Sequence, residues 1–255
     1  REGLSRQFPN LLVVDLKSSS EALLAEAIHA GSDRLVITVG AEALSAAASS
    51  RAAVLMPTMI LKADRPAVSP AARRGAAVYL DIQLAAIVNE LRGLFPERSR
   101  FGILHNPSRR GADPSIALRN NQPDLKFHTA ECARPEDLVK AFLSLRGKAD
   151  FVILFPDSAL YNSTTLKPLI LASLENRLPV VGFSASFVRA GAAAGVYPDF
   201  RDIGAQTAEL AQRYMAVRSP LPDENPRKLL VAVNQRVLRL LGLDCKQRPG
   251  LTVYR

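Results

Sequence analysis

An α/β fold with two doubly wound lobes is predicted for this chain by three features of its sequence. Short apolar, β-rich runs alternate with helical patterns over most of its 255 residues. Strands joined by helical crossovers pair in parallel, in a sheet covered on both faces. The alternation falls into two series, interrupted near residues 81–101. The composition is that of a globular protein, 48% hydrophobic and 22% charged, with no apolar run near the ~20 residues of a membrane span. A chain of this length buries roughly 70–75% of its unfolded surface, so a self-sufficient core is expected.

The elements follow from hydrophobic period and punctuation. In the first series, residues 11–16 read as a strand, and Ser20-Glu21 caps a helix running to His29. Residues 34–39 form a strand ending at Gly40, 41–48 a helix, and 53–56 a strand. After the Pro- and Arg-containing stretch 62–75, residues 76–80 resume as strand and Asp81 caps a helix. In that helix Leu84, Ile87, Val88, Leu91, Leu94 and Phe95 recur every three or four positions, giving one apolar face, and Pro96 ends it. The second series has strands at 100–104, 125–130, 151–155, 179–181 and 193–196. Its helices fall near 114–120, 135–145, 165–176 and 199–217. The tail reads as strand 229–233, helix 235–241 and an exposed end, 246–255. The expected lobes are therefore 1–80 with part of 227–255, and 100–226, with 81–99 and 227–245 passing between them.

Lys and Arg number 33 against 24 Asp and Glu, a formal charge of +9. The excess is confined to residues 51–110 (10 basic, 4 acidic) and 201–255 (10 basic, 5 acidic), while 111–200 is neutral. It comes as single residues and pairs such as Arg109-Arg110, with no Trp and few aromatics interleaved, which is not the basic, stacking face of a nucleic-acid reader. Cys132 and Cys245 have no second Cys or His at metal-ligand spacing, so they read as unpaired thiols and no metal is expected. Enzyme signatures fail too. The stretch Gly182-Phe183-Ser184-Ala185-Ser186 lacks the closing glycine of a nucleophile elbow, and no histidine follows His128. No glycine-rich phosphate loop is present, so no nucleotide cofactor is expected.

In open parallel sheets ligands bind beyond the carboxyl ends of the strands. The residues there are Gly40-Ala41, Pro57-Thr58-Met59, His105-Asn106-Pro107-Ser108, Pro156-Asp157-Ser158 and Gly182 to Ser186. They are small, polar or turn-forming, suited to loops that point N–H groups and hydroxyls at a polar ligand, and equally suited to ordinary strand-to-helix turns. Asp157 has two readings, partner of a ligand ammonium or cap of a turn. Tyr161 offers an aromatic ring with a hydroxyl for a ligand or for packing, and Asn162 a ligand contact or a helix cap. Phe183, Ser184 and Ser186 complete the candidate set.

The run Pro179 to Ala192 followed by Tyr197, then Asp202-Ile203-Gly204-Ala205-Gln206-Thr207-Ala208-Glu209, resembles the solute-binding proteins of ABC transporters in the tryptophan/tyrosine-type family. Phe101-Gly102-Ile103-Leu104-His105-Asn106-Pro107-Ser108 after Leu94-Phe95-Pro96, Val233-Asn234 and Leu241-Gly242-Leu243 support it. The resemblance implies a type I periplasmic-binding fold of two Rossmann-like lobes joined by three crossings. It further implies capture of an amino acid or similar small metabolite in the cleft between lobes, and delivery to membrane permease subunits without covalent chemistry. The protein would be periplasmic or otherwise extracytoplasmic, its signal peptide removed. By the same carry-over, ligand contacts fall at Gly40, Ala41, Thr58, Met59, Asn106, Asp157 and Ser184 to Ser186. Three departures accompany it. Ala41 lacks a hydroxyl, the loop after Thr58 lacks the family's Asp-Pro, and the family's opening strand and helix do not precede the strand read at 11–16, so that either the sequence begins late or the first lobe is reduced. A sensory or partner-binding role on the same fold is the alternative.

Overall fold

The computed structural model describes residues 4, 8, 13–19, 23, 35–47, 54–65, 73–110 and 113–255. The chain divides into two compact units, residues 1–82 with 198–228 and residues 83–197 with 229–255.

In unit 1, β1 (Leu35–Val39) leads through Gly40 into α1 (Ala41–Ala47), and β2 (Val54–Ile60) pairs with β1 in parallel. Gly40 makes this turn at φ +86°, where a side chain would be strained. On the other side of β2 lie the two-residue strands β3 (Arg73–Arg74) and β4 (Val78–Tyr79), both parallel to it. They replace the single strand expected at 76–80. Gly75 separates them because its N–H bonds Leu55 C=O, and an added Cβ would stand 2.5 Å from that oxygen and from Met56 Cγ. The strand expected at 11–16 is not formed by its described residues, 13–16. Asp15 instead closes a local turn, its carboxylate accepting from Lys17 N–H and its own N–H donating to the Ser19 hydroxyl. Such side-chain bonds compete with a ladder. Of the helix expected from Ser20 to His29, only Leu23 is described, and it is helical.

The α-helix of residues Phe200–Val217 also belongs to unit 1, where the sequence reading put it in the second lobe. Its buried face carries Ile203, Leu210 and Ala211 against Val54, Met56, Ala76 and Val78. Periodicity shows that such a helix has an apolar face but not which sheet that face meets.

Unit 2 opens with α2 (Leu84–Leu94), whose residues Leu84, Ile87, Val88, Leu91 and Leu94 are all buried, as its period predicts. Asp81 does not cap this helix. Gln83 holds the N-cap position, and the Asp81 carboxylate accepts from Lys62 N–H in unit 1. Then follow β5 (Arg100–His105), α3 (Pro107–Arg110), α4 (Ile116–Asn121), β6 (Lys126–Glu131), α5 (Leu138–Leu143), β7 (Phe151–Leu154), α6 (Leu166–Glu175), β8 (Val180–Gly182), α7 (Ala185–Ala190) and β9 (Ala194–Pro198). With the helix Phe200–Val217 as α8, the chain returns as β10 (Leu229–Asn234), α9 (Gln235–Leu241) and β11 (Leu251–Tyr254). The seven strands run in the order β11-β10-β9-β8-β7-β5-β6. Leu104, Val152, Leu154 and Val180 from the sheet meet Leu138, Phe142, Leu169 and Phe187 from the helices in the main core.

Two sequence expectations change here. The tail is largely exposed, as expected, but it is not without regular structure, because Leu251 to Tyr254 extend the sheet in parallel beside Val231 to Asn234. Nor is the sheet wholly parallel. Asn234 N–H donates to Ala193 C=O and Asp199 N–H to Lys228 C=O. These bonds join the end of β10 to the start of β9 and the end of β9 to the start of β10, so the pair is antiparallel. The units exchange chain at 82/83, 197/198 and 228/229.

Candidate functional site

The carboxyl ends of β5 and β7 form a small recess in unit 2, about 10 Å³ in volume, lined by residues that include His105, Asn106, Arg109, Asp157 and Tyr161. Both loops are built around one carboxylate. Asp157 is buried, and one of its oxygens accepts from the N–H groups of Ala159 (2.9 Å) and Leu160 (3.4 Å), closing the turn that follows β7. The other accepts from the Asn106 amide at 3.0 Å and lies 3.9 Å from Arg109 Nε. Asn106 in turn accepts from Ser108 N–H through its amide oxygen at 3.1 Å, which fixes the amide's orientation. Both carboxylate oxygens are thus engaged by protein donors. Asp157 organises two loops, the turn-capping role of its two readings, with Arg109 as its ion-pair partner at the recess.

Tyr161, one turn beyond Asp157, belongs to an aromatic trio. Its ring centroid stands 5.5 Å from Phe183 and 5.8 Å from Phe187, and the two phenylalanines are 4.9 Å apart. Ser184 caps α7, its hydroxyl accepting from Phe187 N–H at 3.1 Å. Ser186 is exposed and accepts from Arg189 at 3.3 Å. Asn162 lies outside the recess, in an exposed turn. Its amide oxygen takes the Thr164 N–H and hydroxyl and the Thr165 N–H, ordering the entry to α6.

In unit 1 the candidate residues meet at the ends of β1 and β2. Gly40 N–H donates to Thr58 C=O at 2.9 Å, and Ala41 is exposed at the start of α1. The Thr58 hydroxyl points inward, 2.7 Å from Thr207 Oγ1, which itself donates to Ile203 C=O. One hydroxyl proton is committed to Ile203, so Thr58 donates to Thr207 and its hydroxyl is spent in the core. Met59 is a bulge. The pairing with β4 skips from Thr58 to Ile60, and Met59 adopts φ +55°, uncommon for a residue with a side chain.

Arg109, which lines the recess, is not among the sequence candidates, and His105 is named there only as one of the strand-end residues. Arg109 looked like one of a pair of surface arginines, and the only local signal was its position three residues after Asn106 at a strand end. The two thiols are free. Burial pushes the Cys132 thiol upward, and its Sγ donates to Arg134 C=O, both of which favour the thiol over the thiolate. Among the described residues no cluster of three His, Cys, Asp or Glu forms a metal site.

No profile of a known protein family matches the sequence, and no curated protein matches it. Solved structures do match over nearly the whole chain. A substrate-binding protein with adhesive properties from Clostridium difficile, in its ligand-free open form, superposes with a TM-score of 0.70 at 14% identity, covering 100% of this chain and 93% of the other. The fold is the two-lobed α/β architecture of type I periplasmic-binding proteins. A conserved domain protein from Vibrio cholerae gives 0.65 at 16% identity, covering 100% and 94%. An ABC domain in complex with L-Trp from Streptococcus pneumonia gives 0.60 at 14% identity, covering 96% and 89%.

Proposed function

We propose that this chain is the extracytoplasmic solute-binding component of an ABC-type transport system, related to the tryptophan/tyrosine-type binding proteins, which delivers a small ligand to membrane permease subunits. The observation that carries the proposal is the recess of unit 2, where Arg109 lies beside an Asp157–Asn106 pair that orders two strand-end loops. A pocket of that size takes one polar group, not a whole metabolite. Arg109 suits a carboxylate, and the part-exposed rings of Tyr161 and Phe183, backed by the buried Phe187, suit an apolar or aromatic remainder. An amino acid or similar metabolite combines the two, and the Streptococcus structure of the same fold carries L-Trp.

The test is a calorimetric or thermal-shift screen of amino acids and small metabolites on the whole chain. A ligand is expected whose binding falls on the order of tenfold or more in Arg109→Gln and in Tyr161→Ala, while Asn162→Ala binds normally. Normal binding by both site variants would place the site elsewhere. A second reading, a sensory or partner-binding protein without a permease, is favoured by unit 1, where Ala41 offers no hydroxyl and that of Thr58 is turned inward. Neighbouring genes separate the two, permease and ATPase subunits for transport, a kinase or receptor for sensing.

A further inference from the structure

A second cavity in unit 2, of 460 Å³, is lined by Gln235, Arg236, Arg239, Leu240 and Arg255. Arg236, Arg239 and Leu240 share one face of α9, opposite the buried Val237 and Leu238, and Arg255 follows directly on β11. Tyr254, the residue before it, holds a fourth arginine. The Arg189 guanidinium stands 5.5 Å from the Tyr254 ring centroid and donates to its hydroxyl at 3.4 Å.

The charge is uncompensated. Four other basic groups in 201–255 have carboxylate partners, Arg213 with Glu224, Arg227 with Asp202 and Glu209, Lys228 with Asp199, and Arg248 with Glu90, while Arg201, Arg218 and Lys246, which do not line this cavity, have none among the described residues. Among the described residues Arg236, Arg239 and Arg255 have no carboxylate partner, and no acid lines their cavity. Three arginines lining one concavity with no acid among them make it a positive site that favours an anion.

The sheet separates this cavity from the recess at Asp157. Strands β5 to β9 run one way and β10 and β11 the other, since β9 and β10 are antiparallel. The carboxyl ends of β10 and β11, where the arginines lie, are therefore at the opposite edge of the sheet from those of β5 and β7.

We propose that this arginine cavity is a binding site for a small phosphorylated metabolite, separate from the recess at Asp157. Guanidinium forks approaching from a helix face and a strand end suit the tetrahedral oxygens of a phosphate, whereas a carboxylate presents one planar edge to one fork. The volume is that of a small-molecule pocket, and Leu240, exposed at the rim, offers an apolar contact for the rest of the ligand.

The test is calorimetric titration of the full chain with inorganic pyrophosphate at constant ionic strength. Saturable binding at one site is expected. It should weaken on the order of tenfold or more in the double variant Arg236→Gln/Arg239→Gln, and stay unchanged in Arg146→Gln, an exposed unpaired arginine elsewhere in unit 2. The double variant Arg236→Lys/Arg239→Lys keeps the charge but loses the planar fork, and should bind several-fold more weakly. All variants should melt with the wild type. Absence of saturable binding, an equal loss in Arg146→Gln, or full binding by the lysine variant would overturn the proposal. So would an acidic peptide or anionic vesicles binding the chain without competition from pyrophosphate. Asp157→Asn should leave pyrophosphate binding intact, which keeps this test independent of the solute-binding proposal.

Discussion

Two buried polar pairs occupy corresponding places in the two units, each at the carboxyl end of a parallel strand, and they serve different ends. In unit 1, Thr58 at the end of β2 meets Thr207 of α8, and the chain of hydroxyls terminates on Ile203 C=O. Every donor is used inside the core, and the pair joins helix to sheet. In unit 2, Asn106 at the end of β5 meets Asp157 beyond β7, and their bonds run outward into two loops that border a recess. A polar residue at a strand end is thus a ligand candidate only where its hydrogen bonds order a loop open to solvent; facing inward, it is a fastener.

The contrast can be broken at several points. The largest effect is expected from Asp157→Ala, which strands the buried Asn106 amide and the Ala159 and Leu160 N–H groups; about 3 kcal/mol of stability should be lost together with solute binding. A shift in denaturant midpoint worth under about 1 kcal/mol would mean that the carboxylate does not organise these loops. Gly75→Ala should cost about 1–3 kcal/mol in unit 1, because its new methyl collides with backbone that cannot retreat. Solute binding should survive that change. Thr58→Val should cost about 1 kcal/mol and leave binding untouched. Combining it with Thr207→Val should cost less than the two separate losses summed, since the residues act as one unit.

The smallest effect concerns acid. Burial is the strongest influence on Asp150 and opposes its ionisation, yet hydrogen bonds from the Arg100 side chain and the Arg100 and Ser99 N–H groups outweigh it and hold its carboxyl below the ordinary range. A carboxylate so depressed contributes its stability fully above the unfolded value, about 3.9, and loses it as pH falls through the lower folded value. The melting temperature of the wild type should therefore drop more steeply between about pH 5 and pH 2 than that of Asp150→Asn. Parallel curves would show that the Arg100–Asp150 pair adds nothing to folding.

Local pattern made some elements legible and left others hidden. The helix α9 covers the residues read for it, 235–241, and α2 buries the apolar face read from its spacing. Strand β11 was hidden because four residues after a Pro-Gly turn carry too little period to distinguish a strand from an end. The placement of α8 and the reversal at β9–β10 were hidden for a different reason. Both depend on which sheet a segment meets, and that is decided by surfaces far away in sequence. The candidate site divides in the same way. Asn106, Asp157 and Tyr161 were visible as strand-end polar residues, but the bond between Asn106 and Asp157 spans 51 positions and shows only in the fold. Arg109 gains its meaning from that bond.

The return of the chain through β10 and β11 also orders events during synthesis. Unit 2 is interrupted after residue 197 and completed only by residues 229–255, so a growing polypeptide must deliver all of α8 to unit 1 before the other sheet receives its last two strands. Until then β9 presents an unpaired edge, the kind of surface that recruits another chain. Such late, non-local closure slows folding and favours holding the nascent protein unfolded until residues 229–255 emerge.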